Sequence, residues 1–128
     1  MRILLDTCTF LWIITDDSSL SAKARALFVA AENEVFLSVV STWEIAVKYK
    51  LGKLPLPESP AKYIPQKREQ HEIESLILTE QETLHLPKLP DLHRDPFDRI
   101  LICQAIVEGL CLLTPDELII QYPVHSVW

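Results

Sequence analysis

The sequence lacks several features that mark specialised classes of protein. No apolar run approaches the roughly 18 residues of a membrane-spanning helix, so no membrane association is predicted. No low-complexity tract or internal repeat interrupts the 128 residues. The apolar run at Ile3–Leu5 is too short for a secretory signal and has no small-residue cleavage site after it. We therefore expect mature protein from the start and one globular domain, residues 1–128.

Cysteine and basic residues are both scarce. The three cysteines, Cys8, Cys103 and Cys111, show no metal-binding spacing, and each lies in an apolar run. This pattern predicts free thiols in a reducing, cytoplasmic compartment and argues against a zinc site built from cysteine. Lysine and arginine number 12 against 18 acidic residues, which gives a net charge of −6. Such a balance is atypical of a general nucleic-acid-binding module, but an enzyme whose carboxylates bind cations is compatible with it.

What the sequence does contain is an alternation of apolar strands and helices. Predicted strands cover residues 2–5, 35–40, 73–78 and 110–113, with an edge strand within 124–128. Predicted helices cover 7–14, 22–31, 41–51, 60–70, 79–86 and 95–108, with a short one after residue 114. This order predicts an α/β fold in which helices cover both faces of a mainly parallel sheet. Ligands of such sheets gather at the carboxyl ends of the strands.

Capping signals define where several helices begin and end. Ser41 and Glu44 have the spacing of a capping box, as do Thr79 and Glu82. Asp95 is a predicted N-cap before Pro96. The two glycines, Gly52 and Gly109, follow predicted helices and indicate their ends.

Four carboxylates fall at turns where a site in this fold would be built. Asp6 follows the first strand and Asp116 follows the fourth, while Glu44 is predicted to open the helix after the second. Asp98 opens the helix before the fourth strand, so its placement depends on how that helix runs. Two unit charges 4 Å apart repel by about 4 kcal/mol at an effective dielectric near 20, so clustered acids need protons or cations. Oxygen ligands suit Mg²⁺ or Mn²⁺, whose chemistry is water activation in phosphoryl transfer.

Each acid taken alone also has a structural interpretation. Glu44 and Asp98 hold the third position of a possible capping box, and Asp116 lies in a first turn that favours any acid. Asp6 is also explained as the simple end of a strand. The case for a site rests on the shared placement of the four residues.

Neighbouring polar residues are weaker candidates. Thr7 and Thr114 carry hydroxyls beside site acids, although helix capping explains Thr114 equally well. Arg99 is a candidate phosphate contact, with solvation or pairing to Asp95 as the alternatives. The four histidines show no ligand spacing and are interpreted as ordinary loop or surface residues: His71, His85, His93 and His125. The lysines near the third helix are interpreted as a solvated face, with RNA contact as the lesser alternative: Lys48, Lys50 and Lys53.

Four segments together resemble the PIN-domain family, and most of all its VapC-like branch. The likeness covers nearly the whole chain, and the third segment is the most specific. The segments are Leu4–Cys8, Ser38–Ala46, His93–Ala105 and Leu112–Asp116.

The resemblance implies a three-layer α/β/α sandwich and a Mg²⁺- or Mn²⁺-dependent ribonuclease, the toxin of a toxin–antitoxin pair. It also implies a homodimer and an antitoxin protein that blocks the site. The family's acids correspond to Asp6, Glu44, Asp98 and Asp116, and its last hydroxyl corresponds to Thr114. The alternative is a non-catalytic module of the same fold that only binds another protein. Two other folds with a strand followed by aspartate fit less well: a dehalogenase-type phosphatase needs an acid where Cys8 stands, and a receiver domain needs a lysine later than Lys88.

Overall fold

The computed structural model describes the chain from Met1 to Trp128, with five strands and seven α-helices. The strands are β1 (Arg2–Leu5), β2 (Glu34–Ser38), β3 (Glu74–Leu76), β4 (Cys111–Leu113) and β5 (Ser126–Val127). The helices are α1 (Thr7–Ile14), α2 (Ala22–Val29), α3 (Val39–Lys50), α4 (Pro60–Gln70), α5 (Glu80–Thr83), α6 (Pro96–Glu108) and α7 (Glu117–Ile120). A short 3₁₀ turn covers Leu86–Lys88. No helix combines the length and the apolarity needed to cross a bilayer.

The five strands form one parallel sheet in the order β3-β2-β1-β4-β5. The chain builds outward from β1 to β3, then returns to place β4 on the other side of β1. The strand order therefore reverses between β1 and β4, and such a reversal opens a crevice at the carboxyl ends of the two strands. Asp6 directly follows β1, and Thr114 directly follows β4.

Alternate side chains of the central strands point to opposite faces of the sheet, and each face has its own core. Ile3 and Leu5 pack in one core with Phe10 of α1, whereas Leu4 packs in the other with Leu101 of α6. All five side chains are fully buried. A strand that is covered on both faces has a continuous run of apolar residues in its sequence, as β1 has at residues 3–5. The arrangement confirms the predicted α/β fold and the three-layer α/β/α sandwich.

Local signals set most element boundaries correctly. Strand β1 and helices α1, α4 and α6 occur where they were predicted. Asp95 caps α6 by accepting hydrogen bonds from the backbone N–H groups of Phe97 and Asp98, at 2.8 and 3.2 Å. Gly109 ends α6 in the left-handed region, at φ 68°, which a residue with a Cβ rarely adopts. The predicted strand over 73–78 and the helices over 22–31 and 79–86 are each shorter than expected.

The boundary between β2 and α3 was predicted wrongly. The β-branched run Val35–Val40 predicted strand through residue 40 and a helix capped by Ser41, but β2 ends at Ser38 and α3 begins at Val39. The Ser38 hydroxyl accepts a hydrogen bond from the backbone N–H of Val40 at 3.0 Å and donates to the Gln104 side chain on α6. This contact with a distant helix fixes the cap three residues earlier than the capping-box pattern indicated. Glu44 therefore lies in the second turn of α3 and not at its start.

Candidate active site

A cleft of about 250 Å³ opens at the carboxyl edge of the sheet, above the reversal between β1 and β4. All four predicted acids line it, although they come from four separate segments of the chain: Asp6, Glu44, Asp98 and Asp116. Asp95 is a fifth acid in its wall, and Lys48 is its one basic residue. The cleft is therefore a concentrated source of negative charge.

Asp6 is held rigidly at the base of the cleft. One of its carboxylate oxygens accepts a hydrogen bond from the backbone N–H of Thr7, at 2.7 Å. The other accepts from the Thr114 hydroxyl, also at 2.7 Å, and lies 3.5 Å from the Cys8 thiol. The residue is only 5% exposed. Asp6 is thus an oriented carboxylate that joins the ends of β1 and β4.

Glu44 reaches the cleft from the buried side of α3. Its Oε1 accepts a hydrogen bond from the Thr7 hydroxyl at 2.7 Å, and the Ser41 hydroxyl lies 2.9 Å from that of Thr7. Its Oε2 lies 2.6 Å from the Lys48 Nζ, one helical turn further along. Thr7 therefore has a defined role as a donor that orients Glu44. Because Glu44 does not open its helix, its position cannot be explained as a cap.

Asp98 lies in the first turn of α6, with a histidine beside it. The His93 Nε2 is 2.8 Å from Asp98 Oδ2 and 4.0 Å from Asp116 Oδ2. Ligand atoms of these three residues all lie within 4.8 Å of one another. Asp95 caps α6 as predicted and also lines the cleft.

Thr114 connects two of the acids after β4. Its hydroxyl donates to Asp6 Oδ2 and accepts from the backbone N–H of Asp116 at 3.1 Å. One Asp116 oxygen accepts from the N–H of Leu118 at 2.8 Å and so caps α7. The predicted first-turn position is therefore wrong by one residue, since Asp116 is the N-cap of α7, and its other oxygen faces His93. One Asp116 oxygen caps α7 while the other lies on the side of His93, so capping and placement in the cleft are compatible.

The electrostatics of the cleft disfavour negative charge. Burial, followed by repulsion from Asp6, Asp95 and Glu44, raises the pKa of Asp98 to about 7, against an opposing hydrogen bond from His93. Burial also raises the pKa of Asp6, although its hydrogen bonds with Thr114 and Thr7 oppose the shift. The Cys8 thiol has its pKa raised to about 12 by burial and by the Asp6 charge, so it is neutral. A cation would relieve this strain on the acids.

Arg99 does not line the cleft, so its candidate role as a phosphate contact stays a prediction. Its guanidinium donates to the backbone carbonyls of Pro90 and His93 and to the Tyr122 hydroxyl, at 3.1, 3.4 and 3.2 Å. A more distant ion pair joins it to Asp91 at 3.7 Å. The guanidinium forms no ion pair with Asp95, and the Arg99 side chain is 17% exposed. Arg99 therefore shapes the loop that presents His93.

Sequence reasoning missed several residues of the site. His93 was interpreted as an ordinary loop histidine. It lies in a proline-rich loop five residues before Asp98, and such a loop has no periodic pattern that could predict contact between the two side chains. Lys48 was assigned to a solvated helix face, although its spacing of four from Glu44 on one helix was a usable signal. Ser41 was taken for a cap and instead contacts Thr7 in the interior.

Comparison with known proteins finds a family match over most of the chain. The model of the PIN domain family matches residues 3–124. A relative from Mycobacterium tuberculosis, Ribonuclease VapC16, is 38% identical over 63 residues. That stretch is 49% of this chain and 45% of the relative, so the match spans less than half the length of the relative.

Solved structures share the fold at low sequence identity. VapBC2 from Rickettsia felis, bound to a DNA fragment from its promoter, has a TM-score of 0.67 at 16% identity and covers 99% of this chain and 98% of that one. VapBC-1 from nontypeable Haemophilus influenzae has a TM-score of 0.65 at 18% identity, and the match covers 99% of this chain and 97% of that one. DNA-bound VapBC from Salmonella typhimurium has a TM-score of 0.67 at 16% identity, and the match covers 99% of this chain and 97% of that one. These likenesses concern the fold.

Proposed function

The chain belongs to the PIN domain family, and from that premise we propose that it is a divalent-metal-dependent endoribonuclease. Its substrate is RNA, and its reaction is the hydrolysis of a phosphodiester bond. The relative named Ribonuclease VapC16 supports the nuclease activity, since it is 38% identical over the stretch that it shares. The observation that carries the proposal is the convergence of Asp6, Glu44, Asp98 and Asp116 on one cleft.

The donor set of the cleft fits Mg²⁺ or Mn²⁺. The side chains that would hold the ion are those four acids, and hard divalent cations prefer carboxylate oxygens. The raised pKa values of Asp6 and Asp98 show that the cleft places these groups where their negative charge is unfavourable. When bound, such an ion lowers the pKa of water and neutralises charge on phosphoryl oxygens.

The residues around the acids orient them. Thr7 donates to Glu44, and Thr114 donates to Asp6, so these hydroxyls fix an oxygen of each carboxylate. Thr7, Thr114 and Ser41 are buried, which keeps competing water away from these contacts. Preorganised acids need little rearrangement when the ion and the substrate bind. Asp95 holds the amino end of α6 so that Asp98 faces the cleft.

A toxin role in a toxin–antitoxin pair extends the proposal. The structures with the same fold are of VapBC proteins, one of which is bound to promoter DNA, and the relative is named a VapC ribonuclease. The partner would be an antitoxin protein that blocks the cleft.

We also propose a homodimer, because α3 exposes apolar side chains on its outer face, including that of Trp43, which is 57% exposed. The unpaired cysteines suit the cytoplasm as its location.

A metal-dependent cleavage assay on wild type and Asp6→Asn tests this proposal. Chelator should abolish cleavage of a single-stranded RNA, and Mg²⁺ or Mn²⁺ should restore it. Asp6→Asn keeps the shape of the side chain but removes a charge, so it should lose most activity while the thermal unfolding midpoint stays the same or rises. The exposed Glu32→Gln is the matched control, because it removes one charge outside the cleft.

Two outcomes would contradict the proposal. Cleavage that persists in chelator would overturn the metal mechanism. Intact metal binding without cleavage of any RNA would favour the protein-interaction module instead. If Asp6→Asn lost activity only because it unfolded, Asp6 would be a structural residue.

A further inference from the structure

Lys48 occupies a position in the cleft that none of the roles described so far explains. It lies on α3, four residues after Glu44, and its Nζ is 2.6 Å from Glu44 Oε2. The lysine side chain is 45% exposed, while that of Glu44 is only 6% exposed. Lysine is an ammonium ion at neutral pH, so the contact with Glu44 is an ion pair. A partly exposed cation is therefore held against a buried anion.

Glu44 does not depend on Lys48 for its orientation. Its Oε1 is fixed by the Thr7 hydroxyl at 2.7 Å, and both Thr7 and Ser41 behind it are buried. Lys48 contacts only the outer oxygen, through a flexible chain with many rotamers. The ammonium can leave Glu44 without moving the carboxylate, since the contacts that place the carboxylate lie on the other side.

The charge of the cleft makes such a movement useful. Five acids line it, and Lys48 is the one basic residue among the lining side chains. A phosphodiester that enters carries a negative charge of its own, so the cleft repels it unless a cation faces it. A divalent ion on Glu44 would in turn repel the ammonium beside it. Arg99 does not line the cleft, and its Nη1 donates to the carbonyls of Pro90 and His93.

We propose that Lys48 is an exchangeable cation: it neutralises Glu44 in the metal-free protein and binds the substrate phosphodiester once a divalent ion has taken its place. This inference rests on the proposed function and assigns a substrate-binding residue to it. It makes two predictions of opposite sign. Removing the ammonium should tighten metal binding, because a competing cation is gone, and should weaken RNA binding, because the phosphate contact is gone.

The test compares Lys48→Met, Lys48→Arg and Lys50→Met. Lys50 is the matched control, because it lies at the end of the same helix, is exposed and does not line the cleft. Mn²⁺ affinity is measured without RNA, from the electron paramagnetic resonance signal of free Mn²⁺. The values of kcat and KM are measured on a fluorogenic single-stranded RNA at saturating Mn²⁺, and circular dichroism verifies the fold of each variant.

Lys48→Met should bind Mn²⁺ roughly three- to tenfold more tightly, as expected for the loss of one adjacent, partly exposed charge. Its KM should rise by about tenfold with kcat changed less than about twofold, the pattern for loss of uniform substrate binding. Lys48→Arg should restore most of the KM, and Lys50→Met should match wild type. If Lys48→Met leaves KM unchanged, or weakens Mn²⁺ binding, the inference is overturned while the nuclease proposal stands. If the wild type binds Mn²⁺ and cuts no RNA, the proposed function itself has failed.

Discussion

Replacing Asp98 by asparagine should stabilise the metal-free protein at pH 8. The pKa of this carboxyl is raised from 3.8 to about 7, chiefly by burial and then by the charges of Asp6, Asp95 and Glu44. In the unfolded chain the group loses its proton near its ordinary pKa. Between the two values the folded protein binds more protons than the unfolded chain, so its stability falls as the pH rises. Asparagine keeps an oxygen that can accept from His93 but does not titrate.

The size of this effect follows from the distance between the two pKa values. Each pH unit corresponds to about 1.4 kcal/mol, so a gap of about three units bounds the effect at about 4 kcal/mol. Because the cleft opens to water, screening reduces this, and we expect roughly 2 kcal/mol at pH 8. For a chain of this length that is a rise of roughly 6–10 °C in Tm. The advantage should shrink steadily towards pH 5 and vanish below the unfolded pKa.

The assay is urea unfolding of the chelator-treated proteins between pH 5 and pH 8. Glu32→Gln is again the control, because it removes one exposed charge and leaves Asp98 in place. Adding Mn²⁺ should reverse the order, because the wild type gains more binding free energy than the variant. A difference between wild type and Asp98→Asn that is constant with pH would refute the reasoning. So would a variant less stable than wild type at pH 8.

Three other predictions test separate parts of the structure. Thr114→Val removes the hydroxyl donor to Asp6, which should raise the pKa of that carboxyl further. Mn²⁺ affinity should therefore fall, and it should fall more at pH 6 than at pH 8. A Mn²⁺ titration that matches wild type at both pH values would contradict this. Ser38→Ala should lower the free energy of unfolding by roughly 2–4 kcal/mol in urea, because it removes a cap and leaves the buried Oε1 of Gln104 without a donor. A larger loss in Ser41→Ala would point back to the capping box. Light scattering at micromolar concentration should give the mass of a dimer, and a mass near 14.7 kDa would count against the proposed homodimer.

The fold was predictable from sequence wherever the signal was local. The apolar run before Asp6 defined β1, and the Asp95–Pro96 pair with Gly109 defined both ends of α6. Parallel topology then followed from the alternation of elements, and with it the placement of Asp6 and Asp116 at one edge of the sheet. These acids were found because their place depends only on the strand that each follows.

The remaining features depend on contacts between distant parts of the chain. Ser38 ends β2 partly through its bond with Gln104, which is 66 residues away, and no local pattern contains that information. His93 reaches Asp98 because the Tyr122 hydroxyl accepts from the backbone N–H of His93 at 2.7 Å and holds its loop. Local propensity cannot predict a loop whose conformation is set from 29 residues further along.

The hydrogen bond between Thr114 and Asp6 joins residues 108 positions apart, across two neighbouring central strands. Synthesis on the ribosome proceeds from the amino end, so the nascent chain carries Asp6, Glu44 and Asp98 before β4 exists. At that stage the central strand β1 has a neighbour on one side only, and Asp6 lacks the donor that holds it. The cleft is therefore incomplete until Asp116, the last of its four acids in the sequence, has been synthesised. The four acids can therefore converge only after β4 has joined β1, because both Asp116 and the donor to Asp6 follow that strand.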